Sequence, residues 1–178
     1  KLDGKHQQLL SHGDGYHEMQ FSADRHYAID RYSRMDMPPV YNLVDLKSPQ
    51  RYFEIVRNTT DTLLAAGWHA PKLITVKAAD GKTDLYGLMY TPSNLDPVKK
   101  YPIISNVYPG PQDDQIPLQF TIDDSGNQSL AELGFIVINV APRGSSPYRG
   151  RDFLAFGYGN LRDYPLADNR KVILELAQ

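Results

Sequence analysis

Short apolar runs separated by polar turns open the chain. Tyr16 to Phe21, Tyr27 to Tyr32 and Pro39 to Leu46 are rich in aromatic and β-branched residues, and their spacing predicts three antiparallel strands in a meander. Ser22-Ala23-Asp24-Arg25-His26 supplies a tight reversal between the first two. Asp36-Met37-Pro38-Pro39 forces an extended entry into the third, because a proline restricts the residue before it. Three strands cannot bury both faces alone, so this stretch needs further sheet from a larger parent or another chain. Lys47 to Asn58 reads as a connector. Asn58-Thr59-Thr60 then offers N-cap candidates for a short helix through Leu63, Leu64 and Ala66 that stops at Gly67. A boundary near residue 57 follows.

The pattern then changes. Leu73 to Ala78 and Asp84 to Tyr90 flank Asp80-Gly81, a dipeptide suited to the positive φ of a type I′ turn, and predict a β-hairpin. Pro102 to Tyr108 and Phe135 to Val140 are apolar strands expected to be buried on both faces. Between them Ser129 to Leu133 predicts a helical turn closed by Gly134. Asp163 caps a final helix with Pro165 in its first turn and Leu166, Arg170, Ile173 and Ala177 at helical spacing. Strand, helix, strand, helix in that order is the signature of an α/β fold with a parallel or mixed sheet and right-handed crossovers. The sheet is expected to be cut off where its next strand would begin.

Composition narrows the classes. With 178 residues, 41% hydrophobic and 22% charged, the chain has room for one globular domain or a domain plus a fragment. A net charge of -2 and scattered Lys and Arg leave no basic face, which argues against a nucleic-acid partner. No window reaches the ~20 apolar residues that span a bilayer. The Lys1 start lacks the order of a signal peptide and suggests an excised segment. Zero cysteines exclude disulfides and thiolate chemistry and leave the compartment open. There is no internal repeat.

Serine is the first candidate for chemistry. An α/β-hydrolase nucleophile occupies G-x-S-x-G at a strand-to-helix turn, with acid and histidine following in chain order. Gly144-Ser145-Ser146-Pro147 and Ser125-Gly126 are the nearby candidates, and neither places serine between two glycines at that spacing. Asn106-Val107-Tyr108-Pro109-Gly110-Pro111 lies at the carboxyl end of an apolar strand, where α/β folds place binding crevices. Tyr108 there is either a strand-end packing residue or a donor facing substrate. Arg143, in Ala141-Pro142-Arg143-Gly144, leaves the second apolar strand at the same edge. It either binds a carboxylate or, as the reading preferred here, supports the loop by pairing with Asp152 or Asp168. His12, Asp14 and His17 cluster in one segment but fall short of the four ligands of a structural zinc, so a polar turn is expected and no metal. His26 and His69 lack an adjacent serine or acid and read as surface or packing residues.

Taken in order, Lys100-Tyr101-Pro102, Val107-Tyr108-Pro109-Gly110-Pro111, Leu133-Gly134-Phe135 and Arg143-Gly144-Ser145-Ser146 resemble the prolyl oligopeptidase superfamily of serine peptidases, in its dipeptidyl peptidase IV-like branch. Phe21-Ser22-Ala23-Asp24 and Pro38-Pro39 resemble the last blade of that branch's propeller. Asp80-Gly81-Lys82-Thr83 with Gly87 resembles the opening hairpin of its catalytic domain. Gly159-Asn160-Leu161 and Asp168 resemble the entry to the helix before the nucleophile strand. The resemblance implies that residues 1–57 end a β-propeller and residues 58–178 form the amino-terminal part of an α/β-hydrolase domain. It implies an oxyanion role for the Tyr108 hydroxyl, with Gly110, Pro111, Arg143, Gly144 and Asp168 as supports. Pro109, where the family often has a small residue, and Ser146-Pro147, in place of a glycine-containing stretch, depart from the pattern.

The expected parent is a peptidase acting on peptides after Xaa-Pro through an acyl-serine intermediate, without a cofactor. Its triad would lie beyond Gln178, and the acidic pair that grips a substrate's amino terminus would lie before Lys1. The isolated chain is expected to be inactive, and its open sheet edge to leave it marginal or self-associating, a homodimer being one outcome. Its partners would be peptide substrate and the rest of the propeller and catalytic domain. The resemblance suggests a periplasmic or cell-surface setting, with a cytoplasmic one as the alternative. An acylaminoacyl-peptidase or esterase on the same scaffold, or a non-catalytic binding module, are the rival readings.

Overall fold

A computed structural model describes residues 3–5, 7–108, 113–114 and 116–177. The chain forms two compact units, Lys1–Ala66 with Leu118–Thr121, and Gly67–Pro117 with Ile122–Gln178.

The first unit is a four-stranded antiparallel sheet, β1 (Tyr16–Phe21), β2 (Tyr27–Arg34), β3 (Met37–Asp45) and β4 (Tyr52–Arg57), in chain order. Three of these were legible as strands. The fourth falls in the stretch read as a connector, and it pairs with β3 from Val44↔Tyr52 to Val40↔Arg57 across a bulge. All six residues of β4 are exposed, so no buried face imposes alternation on its sequence. In β3, Pro38, Val40, Asn42 and Val44 alternate inward. Their partners on β2 place Asp30 opposite Asn42, between the Ala28–Val44 and Tyr32–Val40 pairs.

Burying Asp30 requires donors. His17 Nδ1 lies 2.9 Å from each carboxylate oxygen, and its ring stacks on Tyr32 at 4.8 Å between centroids. His17 Nε2 faces Gly13 O at 3.1 Å, while His12 turns to Pro49 O. The two imidazoles therefore serve separate backbone acceptors in the turns. The β1–β2 reversal is held by Asp24, whose Oδ1 accepts from the Ser22 hydroxyl and from His26 N. Contrary to expectation, His26 has an acid beside it, with its Nδ1 3.4 Å from Asp24 Oδ2. Gln119 joins this sheet through Arg31 and Glu18, and Phe120 N donates to Ser33 Oγ. Helix α1 (Asp61–Ala65) ends the unit's main segment, with Gly67 at φ +89° just after it.

The second unit carries a mixed sheet in the order β5-β6-β8-β7, built from β5 (Lys72–Lys77), β6 (Asp84–Tyr90), β7 (Ile103–Ser105) and β8 (Ile136–Val140). β5–β6 and β6–β8 are antiparallel, and β7–β8 is parallel. Helix α2 (Asn127–Glu132) connects the parallel pair, and α3 (Arg151–Leu154) and α4 (Leu166–Leu176) follow β8. Ile74, Val76, Ala78, Leu85, Ile138, Val140, Phe153 and Val172 form the core.

Several expectations need correction. The hairpin turn is not type I′: Gly81 takes φ +69° while Asp80 does not, and Asp80 Oδ1 instead accepts from Lys82 N and Thr83 N. Strand β7 is three residues long and half-buried, because its chain leaves the ladder after Asn106 N donates to Ile138 O. Short helical turns at Pro147–Arg149 and Ala155–Gly157 flank α3 where no element was expected. In α4 the N-cap position is Pro165, without a side-chain cap from Asp163. Its inward face is Asp168 and Val172, with Ile173 and Leu176 packed on the core, whereas Leu166 is 66% exposed. A charged residue at the start of the inward stripe hid that stripe from a hydrophobic count.

Gly87 marks a close approach within the sheet. It faces Val140 across the β6–β8 pair, and a Cβ there would lie 2.5 Å from Val140 Cγ2 and 2.7 Å from Asn139 O. Gly87→Ala should therefore destabilise the chain by about 1–3 kcal/mol, the usual range for overpacking a tight interior. Urea unfolding measures this, and an unchanged midpoint would show that β6 and β8 can separate freely.

Candidate active site

Two parallel strands side by side release their chains at the same edge of a sheet. Here β7 leads to Asn106, Val107 and Tyr108, and β8 leads to Ala141, Pro142 and Arg143. Tyr108 is 55% exposed at the end of this run. Gly110 and Pro111, expected to shape the turn after it, lie outside the described residues.

Arg143 turns inward. Its side chain is 14% exposed and forms a two-pronged pair with Asp168, Nε to Oδ2 at 3.0 Å and Nη2 to Oδ1 at 2.7 Å. Its backbone N–H also donates to Asp168 Oδ2 at 3.2 Å, and Ala79 N donates to Oδ1 at 2.9 Å. The fully buried Asp168 carboxylate thus accepts four N–H groups, two from the guanidinium and two from backbone. Nη1 reaches Asp80 Oδ2 at 2.9 Å, and the guanidinium lies over the Phe156 ring at 4.0 Å. The hydrogen bonds from Arg143 to Asp168 lift the guanidinium above its ordinary range. All of these contacts are with this chain's own groups, and together they hold the β8 exit against the β5–β6 turn and α4.

Gly144 is required beside it. At φ +95° a Cβ would meet the Tyr164 ring at 2.6 Å, and Gly144 N donates to Phe153 O at 2.8 Å. The next two residues are buried and their hydroxyls are committed, Ser145 Oγ to Pro142 O and Ser146 Oγ to Asp114 Oδ2, each at 2.6 Å. Ser125 Oγ faces its neighbour Asp124. Among the described residues no serine hydroxyl bonds a histidine; His69 Nε2 instead stands 3.4 Å from Thr91 Oγ1.

Reading the sequence alone missed Asp80 as the second partner of Arg143, because Asp-Gly was assigned wholly to turn formation. It also missed a partly buried polar chain through Tyr90, Asp124, Asn127 and Asn106, whose other members lie 16 to 37 positions after Tyr90 and share no motif.

Asp80 is held well below the ordinary carboxylate range, first by the backbone N–H groups of Thr83 and Lys82, then by the Thr83 hydroxyl, with a smaller effect from Arg143. A depressed carboxylate contributes stability above its unfolded pKa, about 3.9, and loses that contribution as pH falls toward the folded value. Asp80→Asn should therefore lower the Tm by its full amount above about pH 5, and the gap to wild type should narrow below about pH 4. A Tm series from pH 7 to pH 2.5 checks this, and a gap that stays constant or widens in acid contradicts it.

No family model matches the chain. A Coccidioides posadasii protein named probable dipeptidyl-aminopeptidase B is 28% identical over 171 residues, covering 94% of this chain and 18% of that protein. Dipeptidyl peptidase 8 of Mus musculus is 32% identical over 149 residues, covering 78% of this chain and 16% of the relative. The chain thus spans less than a fifth of the length of these relatives. Among solved structures, a candidate dipeptidyl aminopeptidase IV from Bacteroides ovatus superposes with a TM-score of 0.74 at 34% identity, over 90% of this chain and 23% of that one. Porphyromonas gingivalis dipeptidyl peptidase 4 shares the fold, with a TM-score of 0.73 at 22% identity over 92% of this chain and 24% of that one. An antiparallel sheet followed by a mixed sheet with helices fits that fold. By sequence and by fold, the chain belongs to the dipeptidyl peptidase IV-like branch of the prolyl oligopeptidase superfamily.

Proposed function

We propose that this chain is part of a serine-type dipeptidyl peptidase that removes dipeptides after Xaa-Pro, and that it contributes one oxyanion donor, the Tyr108 hydroxyl. In this reading residues 1–57 end a propeller's last blade and residues 58–178 begin the α/β-hydrolase domain. The names of the relatives support a dipeptidyl peptidase. The observation that carries the residue-level reading is the placement of Tyr108, exposed, at the carboxyl edge of the parallel pair β7–β8.

The chemistry assigns this chain an electrostatic task. A serine hydroxyl supplied by the larger protein attacks the scissile carbonyl and passes its proton to a histidine. The carbonyl oxygen gains negative charge and accepts a hydrogen bond from the Tyr108 O–H. Collapse of the tetrahedral species expels the amine, protonated by that histidine, and leaves an acyl-serine. Water then cleaves the acyl-serine by the same steps. A donor aimed at the oxyanion strengthens as the carbonyl becomes tetrahedral, so it lowers the barrier more than it tightens binding. Ser145 and Ser146 take no part, being buried and tied to Pro142 and Asp114.

Tyr108→Phe in the full-length protein, assayed on an Xaa-Pro chromogenic substrate, should lower kcat by a factor on the order of 10² to 10³ with little change in KM or Tm. The 178-residue chain alone should show no turnover in the same assay. Near wild-type kcat in Tyr108→Phe would make Tyr108 a packing residue, and turnover by the isolated chain would place the nucleophile within it.

A further inference from the structure

A partly buried polar chain ends two residues short of Tyr108. The Tyr90 hydroxyl, on a ring 2% exposed, donates to Asp124 Oδ2 at 3.1 Å. The same oxygen accepts from Asn127 Nδ2 at 3.3 Å. Asn127, 1% exposed at the start of α2, turns its amide oxygen the other way and accepts from Asn106 Nδ2 at 2.7 Å. Asn106 N donates to Ile138 O at 2.8 Å, so both the backbone and the side chain of Asn106 are tied down. Val107 alone separates it from Tyr108.

The direction of this chain is set by chemistry. Asp124 Oδ2 accepts from two donors, so the Asn127 nitrogen must face it and the Asn127 oxygen must face Asn106. Asn106 must in turn present its nitrogen, and neither amide can flip without losing a bond. Burial, and next the charge of Asp124, push the Tyr90 hydroxyl well above its ordinary range, so it stays a donor throughout the neutral range. A partly buried polar chain of this kind adds little stability over apolar packing but fixes a single arrangement. Such a device sits at the last residue that β8 holds, since β7 stops at Ser105 and Asn106 N makes the final bond, to Ile138 O.

We infer that Asn127, acting through Asn106, is a positioning residue that fixes the departure of the chain from β7 and thereby the direction of the Tyr108 hydroxyl. The inference rests on the oxyanion role proposed above. Displacing a reacting group by about 1 Å costs on the order of 10²-fold in rate, so loosening this anchor should register in kcat before KM.

The test is a set of double-mutant cycles in the full-length protein with Gly-Pro-p-nitroanilide as substrate. Asn127→Ala and Asn106→Ala are each made in the wild-type and Tyr108→Phe backgrounds, and kcat, KM and Tm are measured. In the wild-type background each should lower kcat by about 10-fold or more with KM changed less than about threefold. In the Tyr108→Phe background each should change kcat by less than about twofold, because the group it positions is gone. The loss of Tm should be the same in both backgrounds. Equal kcat losses in both backgrounds, or no loss in the wild-type background, overturn the inference while leaving the Tyr108 assignment standing. A Tyr108→Phe protein with wild-type kcat overturns both. Should Asn127→Ala fail to fold, Asn106→Ala at its half-buried position carries the same comparison.

Discussion

A carboxylate with no exposure to water organises the second unit. Asp168 is unaffordable as a buried charge unless its oxygens are filled, and four N–H groups fill them. Those donors come from two places far apart in sequence, Ala79 in the β5–β6 turn and Arg143 in the β8 exit loop. One residue of α4 therefore fixes the hairpin turn, the loop and the helix against each other. Asp80 adds a second carboxylate on the outer prong of the guanidinium, and Phe156 covers its face.

Other tight features lie along the same strands. Gly87 lets β6 approach β8 at Val140, one residue before the chain turns out through Ala141 toward Arg143. On the far side of β8, β7 pairs in parallel and delivers Asn106 and Tyr108 to the edge from which Arg143 departs. Two polar devices of different kinds thus flank the ends of the parallel pair, an ion pair after β8 and an amide chain after β7. Gly144, pressed on the Tyr164 ring, begins the packing that sequesters Ser145 and Ser146.

Much of the fold was legible because the elements obey local rules. β1, β2 and β3 are aromatic and β-branched runs between polar turns, β5 and β6 flank Asp-Gly, and α2 and β8 meet at Gly134. What escaped notice lacks a local signature. β4 is exposed on every residue, so nothing sorts Tyr52, Phe53, Ile55 and Val56 into an inward set. The inward face of α4 begins with an aspartate, which a hydrophobic stripe excludes by construction. Asp80 does two jobs, accepting from Lys82 and Thr83 within its turn and from Arg143 across 63 positions, and only the first is visible locally. For the candidate site, Tyr108 stood out through its motif and strand-end place, whereas Asn106 and Asn127 are ordinary amides until the fold brings them to 2.7 Å.

The central claim is that Asp168 and Arg143 act as one unit, and a double-mutant cycle in urea unfolding tests it most directly. Asp168→Ala alone should cost about 3–5 kcal/mol, because it leaves two guanidinium N–H groups and two backbone N–H groups without their acceptor. Arg143→Ala alone should cost a similar amount, and the double variant should lose little more than either single one, giving a coupling of about 2 kcal/mol or more. Additive losses, or a cost below about 1 kcal/mol for Asp168→Ala, would contradict the account and show that α4, the hairpin turn and the β8 exit are held together by apolar packing alone.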